Sequence, residues 1–186
     1  MKKGFTMIEL IFVIVILGIL AAVAIPRLSA TRDDAEAVKA ATNLSTIISD
    51  LGAYYTSQGA FADDLAQMTN VQLTAAVEGK DGGEGATGNL AAAGTDCLTI
   101  VLHKAVPINE SEVGSGKPAH IAVTGINNNN AICKKIHSMG SIDKILNGKF
   151  KYPAVKTAKT SNSAAVIEDA DSNNGEFAVS GMSVKF

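Results

Sequence analysis

The sequence predicts an α+β fold: a long N-terminal helix, membrane-spanning in its first half, packed on a small antiparallel sheet. Three observations predict it. Residues 10–25 are all apolar or glycine. Between residues 38 and 55, apolar side chains recur at gaps of three and four, the helical period. Beyond Cys97, short β-rich runs alternate with Gly, Asn and Pro clusters, the texture of strands joined by turns.

The apolar run, extended back over residues 5–8, matches the roughly 20 residues needed to cross a bilayer core. Glu9 is the single acid within it, and Lys2 and Lys3 stand just before it. A carboxylate in such a place is expensive, and is by default a functional-site candidate. Pro26 comes next and kinks the helix, since proline inside a helix costs about 3 kcal/mol. The pattern nevertheless continues: Val38, Ala41, Leu44, Ile48, Leu51 and Tyr55 form one stripe, with Arg32, Asp33, Asp34, Glu36, Lys39 and Asp50 mainly off it. One bent helix over residues 5–57 is therefore expected, roughly 80 Å long at 1.5 Å per residue. Gly59 is its C-terminal stop.

Residues 62–78 read as a second short helix or two turns, capped by Asp63 or Asp64, and residues 79–94 as a glycine-rich loop. Strands are expected at 97–102 and 119–124, with a turn at 114–118 between them. Residues 125–130 form a turn or exposed loop, 131–136 a short strand or helical turn, and 138–148 a short helix. Residues 164–168 and 176–179 flank Asn174-Gly175 as a hairpin, and 183–186 end the sheet.

The residues Gly4-Phe5-Thr6-Met7-Ile8-Glu9-Leu10 resemble the processing motif of type IV pilins and type II secretion pseudopilins. Gly18 within the helix and Pro26 continue the likeness, which is close over about the first 30 residues. A secretory signal peptide is the competing reading, from Lys2, Lys3 and the small-x-small site Ala22-Val23-Ala24; a plain single-pass anchor is another. Neither gives Glu9 a purpose. The resemblance implies a pilin-like fold and a division into leader (1–4), membrane and filament-core half-helix (5–29), amphipathic half-helix (30–58) and head (59–186). It implies cleavage by prepilin peptidase between Gly4 and Phe5, and methylation of the new Phe5 amine. Glu9 would then pair with the Phe5 amine of a neighbouring subunit and set the register of assembly. The implied partners are other pilin-like subunits, membrane lipid and an inner-membrane assembly platform. The implied location is the bacterial inner membrane with the head in the periplasm, and a filament in the periplasm or at the cell surface.

The formal charge of −2 becomes −4 once the two leader lysines are removed, which is no strong electrostatic signature. There is no tryptophan. Cys97 and Cys133 are the two cysteines; outside the cytoplasm they are free to join as a disulfide, with two buried thiols as the alternative. Two isolated cysteines lack the spacing of a zinc site.

No catalytic constellation appears. Gly83-x-Gly85-x-x-Gly88 is a literal dinucleotide pattern without the preceding strand or βαβ unit that would let it hold a pyrophosphate. His103, His120 and His137 read as surface or turn residues. Asp169, Asp171 and Asn173 place side-chain oxygens at alternate positions, as calcium loops begin. The register then fails, with Asn174 where glycine belongs and Ser180 where a bidentate acid belongs, so a solvated hairpin turn competes with calcium. Residues 134–159 hold seven lysines and one acid, Asp143. That run supports a second class of function, a membrane-anchored module contacting nucleic acid or a glycan through a basic face; a solvated face is the blander reading. The leading expectation is a structural filament subunit and not an enzyme.

Overall fold

The structure is a computed structural model and describes residues 6–81, 83–179 and 184–185. The chain divides into two compact units, Met1–Glu36 and Ala37–Phe186. The first helix, α1, spans Met7–Gln58 and continues past Pro26. Within the first unit its described large apolar side chains are exposed throughout, from Ile8 and Phe12 to Ile25 and Leu28. A helix that is apolar all round has no face that marks one side as core.

From Ala37 onward the same helix is amphipathic and supplies one wall of the head. Ala37, Ala40, Leu44, Ile47 and Leu51 are buried, at gaps of 3, 4, 3 and 4. The buried seam is thus turned by about one position from the stripe the sequence predicts: Val38 is 55% exposed, and Ile48 and Tyr55 lie at the seam's margin. Two of the five buried seam positions are alanines, Ala37 and Ala40, residues whose small side chains add little to a hydropathy pattern. The helix ends at Gly59, whose N–H donates to the Tyr55 carbonyl (2.8 Å) from a left-handed φ of 77°.

Strands β1 (Thr74–Val77), β2 (Thr87–Ala92), β3 (Thr95–His103), β4 (His120–Gly125) and β7 (Glu176–Ala178) form an antiparallel sheet in the order β1-β2-β3-β4-β7. Alternation buries Leu90 from β2, Leu98, Ile100 and Leu102 from β3, and Ile121 and Val123 from β4. These side chains join the buried seam of α1 in a single core. The β2–β3 hairpin turns on Ala93 and Gly94, at φ 48° and 78°, the two positive values a type I′ turn requires.

A second antiparallel sheet, in the order β6-β5-β8, comprises β5 (Lys149–Thr157), β6 (Val166–Asp171) and β8 (Val184–Lys185). Strand β5 tolerates Pro153 because β8 pairs only with Lys149 and Phe150, leaving no ladder partner there to need the missing N–H. Further along, β5 is covered by a loop: Gly114 N–H donates to Val155 O (2.8 Å) and Val155 N–H to Ser115 O (3.2 Å).

Several expectations are corrected. Residues 62–78 hold a 3₁₀ turn at Leu65–Gln67, capped by Asp64, and then β1, not a helix. Part of the glycine-rich loop is strand β2. Of the two readings open at residues 131–136 the helical one holds, in α2 (Ala131–His137), and the helix expected at 138–148 is present as α3 (Gly140–Asn147). The segments around Asn174-Gly175 do not form a hairpin: β6 pairs with β5, and β7 with β4. Of the expected last strand, Val184–Lys185 is present, while Ser183 and Phe186 lie outside the described residues.

Candidate functional site

The site at the start of α1 is built by four consecutive residues. Thr6 precedes the helix and Glu9 stands at its third position. The Thr6 N–H and Oγ1–H both donate to Glu9 Oε2, at 2.9 and 2.7 Å. The Glu9 N–H returns a bond to Thr6 Oγ1 at 3.4 Å. This is a capping box, two first-turn donors satisfied reciprocally, and it also places an acid where the helix dipole favours one. The sequence signal for it is Thr6-x-x-Glu9. Among the described residues, Glu9 Oε1 makes no hydrogen bond. Gly4 and Phe5, the expected cleavage and methylation positions, lie outside the described residues.

Cys97 and Cys133 are joined. Cys97 is on β3 and Cys133 on α2. Helix α2 is fastened again by His137 Nε2–H, which donates to Cys97 O at 2.7 Å. The asparagine run before α2 is not a featureless loop. Asn127 adopts φ 54° and donates to Asp96 O (2.6 Å), and Asn130 Oδ1 caps α2 by accepting from Ile132 N–H (2.9 Å). Asp96 accepts from Thr74 (2.6 Å) and Asn89 (3.0 Å), and those two bonds hold its carboxyl below the ordinary range.

The histidines are not surface residues as a set. His103 and His120 are directly opposed across β3 and β4, with ring centroids 4.6 Å apart and planes 17° from parallel. His120 is buried. Beside it, Glu176 is buried, ion-paired to Lys117 Nζ at 2.7 Å, and accepts both the backbone and side-chain N–H of Asn173. Burial by itself would raise the Glu176 carboxyl, but the Lys117 and Asn173 contacts together outweigh it and hold the group below its usual value.

The expected calcium oxygens are placed apart in role. Asp169 and Asp171 are exposed on β6, whereas Asn173 lies beyond the strand and is bonded to Glu176. Among the described residues, no group of three or more His, Cys, Asp and Glu side chains is arranged to hold a metal. The lysine run is distributed over α2, α3 and β5, and β6 sets acids beside it: Lys156 pairs with Glu168 at 2.7 Å, while Lys159 reaches Glu110 at 3.1 Å. Gly88 of the glycine pattern lies inside β2, so that pattern leads into a strand, not a helix N-terminus.

Residues 1–25 match the family described as the prokaryotic N-terminal methylation motif. The chain therefore carries the prepilin-type motif of type IV pilins and pseudopilins. The motif supports a pilin-like substrate of prepilin peptidase, and the proteins of that family are structural subunits. Among the described residues α1 is the one helix long and apolar enough to cross a membrane, and with the motif it marks the chain as membrane-anchored. No solved structure matches the chain.

Proposed function

We propose that this chain is a structural subunit of a type IV pilus or type II secretion filament, polymerised through α1, with its head held in the periplasm. The observation that carries the proposal is the one acid in the apolar half of α1, held by its own cap yet keeping one carboxylate oxygen without a partner among the described residues. Before assembly, Thr6 satisfies Glu9 Oε2 and lowers the penalty of keeping the acid at a membrane. On assembly, Oε1 accepts the methylated Phe5 amine of the next subunit, a group whose ordinary pKa near 8 keeps it mostly cationic at neutral pH. A charge pair in low dielectric is far less costly than either ion alone, so subunits in the wrong register are disfavoured. The apolar surface of residues 7–28 then packs against equivalent helices in place of lipid. Partners under this reading are further pilin-like subunits, the assembly platform and membrane lipid.

Intact mass of the protein from membranes and sheared filaments tests the processing. The expected mass lacks residues 1–4 and carries one added methyl group; a mass beginning after Ala24 would sink the proposal. Glu9→Leu is expected to abolish filaments while the head keeps its fold by circular dichroism. Normal filament yield from Glu9→Leu would remove Glu9 from the mechanism.

A further inference from the structure

One end of the five-stranded sheet carries a cluster of ionisable groups that assembly through α1 does not use. His120 is 4% exposed and Glu176 6%. His120 Nδ1–H donates to Pro118 O at 2.9 Å, so in the neutral ring the Nε2 lone pair faces Glu176 Oε1, 3.7 Å away. The charged and titratable groups around the ring come from separate segments. His103 stacks on it from β3, and behind His103 stands Glu84, whose Oε1 accepts from His103 Nδ1 at 3.0 Å and whose Oε2 accepts the Lys104 N–H at 2.7 Å. Lys117 comes from the β3–β4 connection and Glu176 from β7. From β5 comes uncharged Phe150, with ring centroids 5.9 Å from His120. Among the described residues Glu176 is thus the one anion close to His120, and it is already engaged by Lys117 and Asn173.

We propose that the His103–His120 stack is a proton-operated latch on strand β7. With His120 neutral, Glu176 stays bonded to Lys117 and Asn173, and β7 stays paired with β4 through Ala122↔Glu176, Ile121↔Phe177 and His120↔Ala178. A proton on His120 Nε2 creates a buried cation whose nearest counter-charge is the same carboxylate. Burial disfavours that charge, and lifting β7 away returns the ring to water, so the proton favours release of the β7 edge.

Burial is the largest influence on His120 and lowers its proton affinity, Lys117 and His103 adding to it against the Pro118 carbonyl and Glu176. The sign follows by linkage: the folded state binds this proton more weakly than the unfolded chain. The latch therefore contributes fully above the ordinary histidine pKa near 6.5, and the contribution is lost as pH falls from there through the folded value. Glu84 and Glu176 are both held below the ordinary carboxylate value of 4.5, so they stay ionised from pH 7.5 down to 5.0.

The test is amide hydrogen exchange on the full chain in lipid nanodiscs at pH 7.5 and 5.0, corrected for intrinsic exchange. Protection at residues 176–178 is expected to fall by up to about thirtyfold, the limit that linkage sets at pH 5.0 for an ordinary histidine pKa near 6.5, while the 37–58 amides keep theirs. His120→Phe keeps a ring against Phe150 and His103 but cannot take the proton; its difference between the two pH values should shrink to within about threefold. Equal protection of the wild type at both pH values, or an undiminished loss in His120→Phe, overturns the latch. Should His120→Phe fail to fold, an imidazole NMR titration of the wild type decides: a His120 that titrates at or above the ordinary value overturns it, and one that titrates below upholds it.

Discussion

Met1–Glu36 and Ala37–Phe186 use the same kinds of side chain to opposite ends. In the first unit Phe12, Leu17 and Ile25 are 67%, 58% and 68% exposed; in the second Leu44, Ile47 and Leu51 are fully buried. All six belong to one helix. Hydrophobicity alone therefore did not decide burial; its arrangement did. An apolar seam beside a polar face tells a sheet where to pack, and a surface apolar on every side leaves the covering to lipid or to other helices.

The strongest way to break this comparison is a matched pair of substitutions. Leu44→Ala is expected to reduce head stability by about 2–5 kcal/mol, and Leu17→Ala to leave it within about 0.5 kcal/mol. Both are read from chemical denaturation followed by near-UV circular dichroism. An equal loss from Leu17→Ala would mean that the two units are not energetically separate. Next comes the cross-link between β3 and α2, which closes a separation of 36 residues. The Cys97→Ser, Cys133→Ser double variant should lose about 3–4 kcal/mol in the chain-entropy description, all of it in the head; a midpoint within error of the wild type would contradict this. The smallest effect is at the surface. Lys159 and Glu110 are both more than half exposed, so Lys159→Ala should change stability by less than about 1 kcal/mol, and raised salt should erase even that. A larger loss would show that the lysine run supports the head in a way its solvent exposure does not indicate.

Much of the fold could be read from the chain because much of it is local. The helix, its glycine stop and the strands of residues 97–102 and 119–124 follow from period and punctuation over a few consecutive residues. Errors arose where distant partners decided. The segment at 62–78 has helix-like apolar spacing, yet its last residues pair with β2 at Thr74↔Asn89 and Val77↔Thr87. Strand β5 was concealed by Pro153, a residue that argues against a strand until its open flank is known. The Asn174-Gly175 pair signalled a hairpin and is instead a crossing between two sheets. The Gly175 N–H donates to Gly148 O and the Val123 N–H to Gly175 O. At the candidate site, Glu9 stood out because one acid in an apolar run is conspicuous. The cap by Thr6 was equally local but was masked by the motif in which it lies.

The sequence by itself determined the processing motif, the apolar and amphipathic halves of α1, and the presence of strands beyond Cys97. Each of these depends on neighbours in the chain, where covalent geometry fixes the spacing. Tertiary structure alone decided which seam of α1 is buried, how the eight described strands divide into two sheets, and that His103, His120, Lys117 and Glu176 meet at one sheet end. Those outcomes depend on strand register, and register follows from packing a whole face at once, since a shift of one residue exchanges every inward side chain for an outward one.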